Sequence, residues 1–282
     1  MKLKDYKFHN KKGIIFFFLF LFFIFFVFTI YIGGIPIESI SSTIELNEKD
    51  IKAISKKIFI NETKGDVSKL LSWNKGENFL SLGIGHFIWY PKDSKGRFTE
   101  SFPPLIEFFN QQNFEIPKWL ATNSFCPWSN YKDFSDGYHS KKKKDLHQLL
   151  TKSYDLQALF LINRLKDAIP KIISLSSDKK RVEKNFFLLS NSPNGVYAMV
   201  DYVNFKGEGI SNSEKYNGQG WGLLQVLEID DFNIEKPVES FMIAASEVLS
   251  QRVENSKYKK REAKWLIGWK KRIFSYNDNI YE

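Results

Sequence analysis

The pattern of apolar and polar positions divides the chain into an apolar segment, a helical stretch, a short β region and a long helical remainder. Residues Ile14–Ile32 read IIFFFLFLFFIFFVFTIYI and lack the polar stripe of a surface helix. After Asn47, which can cap a helix, Ile51, Ile54 and Ile58 recur at helical spacing, and the stripe continues to position 62, which is Glu62. The pattern therefore predicts a helix that begins after Asn47 and ends near Glu62.

Residues 73–98 are typical of a small β element. The polar turn NKGEN precedes the apolar stretch FLSLGIGHFIWYP, and a second turn, DSKG, follows it. Beyond this region, apolar spacing predicts helices at 104–112, 141–168, 179–190, 194–204 and 237–255. The predicted fold class is α+β, mostly α, with a small early β-hairpin.

The apolar segment is long enough to cross a membrane. It has nineteen residues, and about 20 apolar residues span a bilayer as a helix. Five lysines against one aspartate give residues 1–12 a net charge of +4, which the positive-inside rule assigns to the cytoplasm. A cleaved signal peptide is the competing interpretation, but no small-x-small site closes the run. We expect a single-pass inner-membrane protein with its C-terminal domain in the periplasm or extracytoplasmic space, divided into a cytoplasmic tail (1–12), a transmembrane signal anchor (13–33), a linker (34–46) and an exported domain (47–282).

Charge restricts the class of partner. Removing the tail's +4 from the total of +9 leaves +5 for the remainder. That mild excess suits an anionic partner such as a cell-wall polymer, and nucleic acid usually demands more, so we predict no nucleic-acid partner. Cys126 is the only cysteine, which excludes an internal disulfide and favours a small buried role.

Motifs exclude several common chemistries. The sequence has no phosphate-binding glycine loop, no H-E-x-x-H, no paired-cysteine zinc spacing and no G-x-S-x-G nucleophile elbow. A three-histidine metal site would need His86, His139 and His147 to meet, because His9 lies in the tail. We therefore predict no metal ion and no cofactor, and carboxylate chemistry remains.

Glu62 is the first candidate for that chemistry. It ends an apolar helical stripe just before a Thr-Lys-Gly-Asp break. A carboxyl group among apolar neighbours loses solvation, which favours its protonated form. Cleavage of a glycosidic bond requires such a general acid. The alternative is that Glu62 only ends the helix and points to water.

The strand that follows resembles an active-site hairpin. A helix ending in glutamate, a polar turn and then Ser81-Leu82-Gly83-Ile84-Gly85-His86 are similar to the hairpin of phage-type lysozymes, whose strand reads T-I-G-I-G-H. The resemblance implies a lysozyme-like fold, with Glu62 as general acid and Ser81 positioning the attacking water. It gives His86 a chiefly structural role in the part of the site that binds substrate. Tight glycines would let the strand approach both the glutamate helix and a sugar chain.

The match departs from that family at its aspartate. In a gapless register this position falls near Lys75. Glu77 or Asn74 must then substitute for the aspartate, with Glu77 as the candidate second carboxylate, or the second carboxylate is absent. Direct hydrolysis and a single-glutamate mechanism both stay open.

A second stretch, residues 201–230, carries another resemblance. Gly222-Leu223-Leu224-Gln225-Val226 is similar to the G-L-M-Q motif that lines the glycan cleft of goose-type lysozymes and lytic transglycosylases. The catalytic glutamate of those enzymes precedes the motif, so Glu208 and Glu214 compete with Glu62. The further candidates for sugar contacts are Asn204, Lys206, Tyr216, Gln225 and, as a stacking surface, Trp221. The alternative is a glycine-rich loop capped by a core helix.

These resemblances imply a function in the cell envelope. Three further stretches, WNKGENFLSLGIGHFIWYP, VNFKGEG…GWGLLQVLE and RVEN…WLIGWKKRI, make most of residues 56–275 resemble a family of exported bacterial proteins, a resemblance that supplies no activity of its own. We expect a membrane-anchored peptidoglycan glycosidase of the muramidase or lytic transglycosylase type, whose partners are glycan strands and the inner membrane. The alternative from another class is a non-catalytic cell-wall-binding or envelope scaffold protein with a lysozyme-like cleft. An envelope amidase or peptidase would need a metal set or triad that the sequence does not offer.

Overall fold

The computed structural model describes residues 44–96, 98–136, 140–212 and 214–282. The predicted membrane anchor (13–33) and nearly all of the predicted linker (34–46) lie outside these ranges. Within them, no helix combines the length and the apolar character that crossing a membrane requires. Residues Ser41–Glu282 form one compact unit, which is mostly helical with a small antiparallel sheet near its start, as predicted.

The helices of the described residues follow one another along the chain with short strands between them. The α-helices are α1 (Glu48–Thr63), α2 (Phe102–Gln111), α3 (Lys118–Ala121), α4 (Tyr131–Ser135), α5 (Ser140–Lys152), α6 (Tyr154–Leu175), α7 (Lys179–Ser190), α8 (Pro193–Lys206), α9 (Leu223–Glu228), α10 (Pro237–Asn255) and α11 (Lys259–Phe274). The strands are β1 (Leu71–Ser72), β2 (Leu80–Leu82), β3 (Phe87–Trp89), β4 (Lys215–Tyr216) and β5 (Gln219–Gly220). Single 3₁₀ turns lie at Val67–Leu70 and Ser275–Asn277.

Helix α1 forms as the sequence predicts. Asn47 and Asp50 make a reciprocal capping box, with bonds of 3.1 and 3.0 Å between side-chain oxygens and backbone N–H groups. The apolar stripe, including the fully buried Ile54 and Ile58, packs against α6. The helix ends where Lys64 adopts a left-handed conformation. This places Glu62 in the last turn, at the edge of the packed face.

The early β element is a three-stranded antiparallel sheet in the order β1-β2-β3. Its register pairs Leu82 with both Leu71 and Phe87, and strand β2 is buried along its whole length. The tight turn Gly83–His86 joins β2 to β3. It is held from inside the domain by Gln157, whose Oε1 accepts from the Ile84 N–H at 2.9 Å.

Gly83 is required at this turn for two reasons. Its φ is +69°, and a Cβ built there would lie 2.1 Å from Gln157 Oε1. Gln157 has little freedom to move, because its Nε2 donates to the Leu150 carbonyl and to the Ser153 hydroxyl. The glycine therefore allows close approach of the turn to the helical layer.

Replacing Gly83 with alanine should lower the free energy of unfolding by about 2–4 kcal/mol, as the sum of left-handed backbone strain and overpacking. Gly65 is the matched control, since its φ is +79° but no atom lies within 4 Å of a built Cβ. Gly65→Ala should cost only the backbone strain, about 1–2 kcal/mol. Urea unfolding of both variants measures the difference. Equal losses would mean that Gln157 does not constrain the turn.

The prediction missed the short helices α3, α4 and α9, and it differs from the structure at two places among the long helices. The helix predicted at 141–168 is two helices, α5 and α6, which meet at the buried Ser153. Ser153 and the end of α5 bind the Gln157 amide, so the break serves the contact with the β turn. Helix α11 was not among the predicted helices. Only Glu262 and Ile273 of α11 are buried, so it carries almost no apolar stripe.

Cys126 is buried, as predicted. Burial raises the pKa of its thiol to about 12, so the group stays protonated and unreactive at neutral pH. The backbone N–H of Cys126 donates to the Tyr90 carbonyl at 2.9 Å, and this bond links the α3–α4 loop to the end of β3.

Candidate functional site

Three separate segments meet at the carboxylate of Glu62. Its Oε2 lies 3.2 Å from Nδ1 of His86, at the β2–β3 turn. Its Oε1 accepts from Nη2 of Arg272 on α11 at 2.5 Å and from Nδ2 of Asn204 on α8 at 3.3 Å. The Glu62 side chain is 8% exposed and the His86 side chain 44% exposed. The carboxylate thus lies just beneath the surface, beside an accessible imidazole.

The environment of Glu62 differs from the apolar one that the sequence suggested. Its oxygens are held by a guanidinium, an amide and an imidazole, because α8 and α11 bring Asn204 and Arg272 to the helix end. Glu62 therefore does not simply end a helix and point to water. It is a fixed carboxylate with polar partners on both oxygens.

Arg272 is itself anchored by a fully buried carboxylate. Asp201 accepts from its Nε and Nη2 at 2.7 Å each, which is a bidentate pair. Tyr276 donates to Asp201 Oδ2 at 2.6 Å, and Asn61 donates to Oδ1 at 3.3 Å. Burial alone would lower the pKa of Arg272, but Asp201 and then Glu62 raise it well above the usual value. The guanidinium stays charged, and it is shared between two carboxylates.

The glycine turn has an inner and an outer side. Its inner side, at Gly83 and Ile84, packs on Gln157. On its outer side, His86 has a φ of +47°, a conformation that non-glycine residues adopt rarely and that is often found at functional sites. The structure thus gives the glycines a packing role and turns the histidine towards Glu62.

The other candidates of the hairpin lie away from this contact. Ser81 is buried in the middle of β2, where it pairs with Ser72 and Ile88. Glu77 lies in the β1–β2 loop and accepts from the Asn74 amide at 3.1 Å. Within the described residues, no hydrogen bond joins either Ser81 or Glu77 to Glu62.

The glycine-rich segment 207–222 brings a second pair of carboxylates near the end of α8. Glu214 lies against Gly207, and burial, together with the charge of Glu208, raises the pKa of Glu214, while Arg252 opposes the shift. Glu208 interacts with Arg164. Burial lowers the pKa of Arg164, and the negative charge of Glu208 opposes that shift. Glu214 is therefore the alternative to Glu62 as a candidate proton donor.

Gln225 closes the same loop from the start of α9. Its Oε1 accepts from the Gly222 N–H at 2.8 Å, and its Nε2 donates to the Gly209 carbonyl at 3.1 Å. Gly209 has a φ of +80° and lies so close that a Cβ there would meet Gln225. The amide is thus committed to holding the loop in shape.

Tyr216 and Trp221 are likewise engaged by protein groups. The Tyr216 hydroxyl donates to Glu262 at 2.9 Å, and Glu262 is also 3.2 Å from Nε of Arg252. Trp221 is 7% exposed, and its ring packs against Tyr216 and beneath the Arg252 guanidinium, 4.1 Å from the ring centroid. These contacts fasten α11 to the β4–β5 hairpin.

Lys206, at the end of α8, is buried among aromatic rings. Its Nζ lies 3.2 Å from the Trp269 centroid and 3.9 Å from the Phe205 centroid. Burial, followed by the charges of Arg252 and Arg272, lowers the pKa of Lys206 to about 6. The amine is therefore mostly neutral at pH 7, between two permanent cations.

Replacing Lys206 with methionine should stabilise the fold by an amount that depends on pH. The native pKa of about 6 lies below the ordinary 10.5, so the unfolded chain binds an extra proton between these values and the native protein gains stability as pH rises through them. Lys206→Met removes this dependence, so its advantage should be largest near pH 6 and shrink by up to about 1.4 kcal/mol per pH unit above it. Urea unfolding between about pH 6 and about pH 9 measures this, with the exposed Lys264→Met as the control. An advantage that is constant over this range would contradict the shift.

Sequence reasoning missed Arg272 and Asp201, which hold Glu62 in place. Arg272 lies 210 residues from Glu62 along the chain, in a helix that is rich in other cations. Asp201 offered a signal: it follows the apolar run 196–200 on a helix that is buried there. A lone carboxylate in such a run usually has a buried cationic partner.

Neither a metal centre nor a relative identifies the site. In the described part of the chain, no group of three or more His, Cys, Asp or Glu side chains has an arrangement that could hold a metal ion. No family model, curated protein or solved structure matches the sequence or the fold. The chemistry of the side chains around Glu62 is therefore the ground on which a function is argued.

Proposed function

We propose that this chain is a glycosidase that cleaves peptidoglycan glycan strands, with a lysozyme-like fold and Glu62 as its general acid. The observation that supports the proposal best is the contact between Glu62, at the end of α1, and His86, at the glycine turn of the hairpin. The sequence resemblance requires this meeting of a helix-end glutamate with a G-I-G-H turn. The chain folds so that the two lie 3.2 Å apart.

The proton for the leaving group is carried on Oε2 of Glu62, on the side of His86, because the donors of Arg272 and Asn204 occupy Oε1. The glycosidic oxygen binds beside its carboxyl group, accepts the proton as the bond breaks, and leaves an oxocarbenium-like sugar. Arg272 fixes the position of Glu62, and its charge is already balanced in large part by the bidentate pair with Asp201. Fixed geometry of this kind accounts for a large share of enzymatic rate enhancement.

The sugar chain lies between the glycine turn and the end of α8. Asn204 and His86 flank Glu62 from these two sides, and the exposed imidazole of His86 forms part of the outer edge. Asp201 is fully buried and Glu77 is held in an outer loop by Asn74. The arrangement thus favours one working glutamate, with either water or the 6-hydroxyl of the muramyl residue as the nucleophile.

The proposal includes the membrane anchor predicted at residues 13–33. Its lysine-rich flank and apolar length support a single-pass inner-membrane protein with the domain outside the cytoplasm. Glycan strands of the cell wall lie on that side of the membrane, so the substrate and the proposed site share a compartment.

A non-catalytic wall-binding protein is the second candidate. The observation that favours it is that both oxygens of Glu62 already have protein partners. In that case Glu62 would serve as a structural link between three segments, and glycan would bind over it without being cleaved.

Purified residues 41–282 incubated with murein test the proposal. Release of soluble muropeptides is expected, and mass spectrometry of the fragments distinguishes a reducing end from an anhydro end, which is lighter by one water. Intact murein, in an assay where a known lysozyme clears it, would overturn the glycosidase. Sedimentation of the protein with intact murein would then favour the binding protein.

A further inference from the structure

A second pocket lies along α1. It has a volume of about 510 Å³ and lies between residues 49–59 of α1, the α5–α6 junction and residues 280–281. Its nearest residue along the helix, Phe59, is about one turn from Glu62, but none of the residues around the Glu62 carboxylate lines it. The pocket therefore belongs to a different site.

The lining of this pocket is strongly basic. Four lysines, Lys49, Lys52, Lys56 and Lys152, line it against one carboxylate, Asp155. Asp155 accepts from the Ser55 hydroxyl at 2.6 Å. Lys52 and Lys152 form no ion pair with any described residue. Positive charges gathered in a concave site attract an anion.

A buried donor in the same lining lacks an acceptor. The Tyr154 hydroxyl is shielded from solvent and reaches no acceptor with hydrogen-bond geometry among the described residues, although the nearby Thr151 hydroxyl influences its pKa. The neighbouring Thr151 hydroxyl donates instead to the His147 carbonyl at 2.7 Å. An unsatisfied buried hydroxyl is costly, and an oxygen acceptor on a ligand removes that cost.

The position of Tyr154 on its helix adds to this preference. Tyr154 is the first residue of α6, a helix of 22 residues, and the Ser153 cap makes no side-chain bond to the first turn. The positive end of the helix dipole therefore faces the same pocket, where Asp155 of the first turn offsets part of its attraction for an anion.

The pocket also offers rings and is larger than a bare anion needs. The rings of Phe59 and Tyr154 lie 4.9 Å apart, and the ring of Tyr281 forms another part of the lining. Cavities of about 300–1,000 Å³ are typical of small organic ligands. We propose that this pocket binds a phosphate ester, with the phosphate among Lys52, Lys152 and Tyr154 and the organic part against Phe59 and Tyr281.

Calorimetric titration of residues 41–282 with adenosine monophosphate, glucose 6-phosphate, inorganic phosphate and, as the control without phosphate, adenosine tests the site. These residues form a compact unit with its own core. At least one of the two esters should bind, adenosine should not, and inorganic phosphate should bind more weakly. Vesicles of phosphatidylglycerol, compared with phosphatidylcholine, form the arm that identifies a lipid headgroup as the source of the phosphate.

Variants connect any binding to the pocket. Tyr154→Phe removes only the hydroxyl without a partner, so it should fold normally and weaken binding about tenfold. Lys52→Gln combined with Lys152→Gln should weaken it by about tenfold or more. Lys57→Gln, on the same helix but outside the pocket, should leave it unchanged. The proposal is overturned if no phosphate probe binds the wild type, or if binding to esters or vesicles is the same in all four proteins.

Discussion

Replacement of Glu62 with glutamine is expected to reduce murein cleavage by about 10²–10⁴-fold, the range that general acid catalysis supplies. Glutamine has the same shape and keeps hydrogen-bonding atoms for Asn204 and His86, but it has no proton to donate to a glycosidic oxygen. Arg272 keeps its bidentate pair with Asp201, so the fold should survive. The measurement is the initial rate of muropeptide release.

Two further variants make this result specific. Glu214→Gln removes the rival carboxyl group, whose pKa burial raises. Glu107→Gln changes an exposed glutamate of α2 and controls for the loss of a negative charge. If Glu214→Gln abolishes cleavage and Glu62→Gln does not, the acid has been assigned to the wrong glutamate although the glycosidase stands. Thermal unfolding of each variant shows that lost activity is not lost folding.

Replacement of Asp201 with asparagine is expected to cost about 3–5 kcal/mol of unfolding free energy, as for other broken buried ion pairs. Asp201 is fully buried and accepts from Arg272 twice and from Tyr276 once. An asparagine amide N–H would point at the N–H and O–H donors of Arg272 and Tyr276. The guanidinium would then keep Glu62 as its one carboxylate partner. Because domains are stable by about 5–15 kcal/mol, the loss should be large in urea unfolding.

Asp231 provides the matched control for that prediction. It pairs with Lys184 at 2.9 Å, a distance similar to those in the buried pair, but its side chain is 60% exposed. Solvent screens such a pair, so Asp231→Asn should change stability little. If Asp201→Asn is as mild as Asp231→Asn, the buried network does not hold α11 in place, and Glu62 has another support.

The elements that sequence reasoning predicted well are those with a local signal. Helix α1 has a capping residue and an apolar stripe, and the predicted helices 179–190 and 237–255 match the observed bounds of α7 and α10. The motif also placed Glu62 near the hairpin: the structure brings His86 of the turn to 3.2 Å from Glu62, whereas Ser81, expected to act beside it, is buried in β2. In each case the information lies within a few turns of the chain.

The elements that sequence reasoning missed depend on distant partners. The break at Ser153 forms because Gln157 reaches across to the β turn. Helix α11 packs along α10, but only Ile273 of its apolar side chains is buried, and its links to Glu62, Asp201 and Arg252 are the polar contacts of Arg272 and Glu262. The sequence around Arg272 and Asp201 does not indicate that they are partners, because the two lie 71 positions apart.

The order of synthesis gives the Glu62–Arg272 pair a temporal consequence. The carboxylate emerges from the ribosome 210 residues before the guanidinium that positions it. A nascent chain that has made the hairpin but not yet α11 carries Glu62 without the guanidinium that positions it. For the proposed glycosidase, competence for catalysis would therefore arrive only when α11 docks.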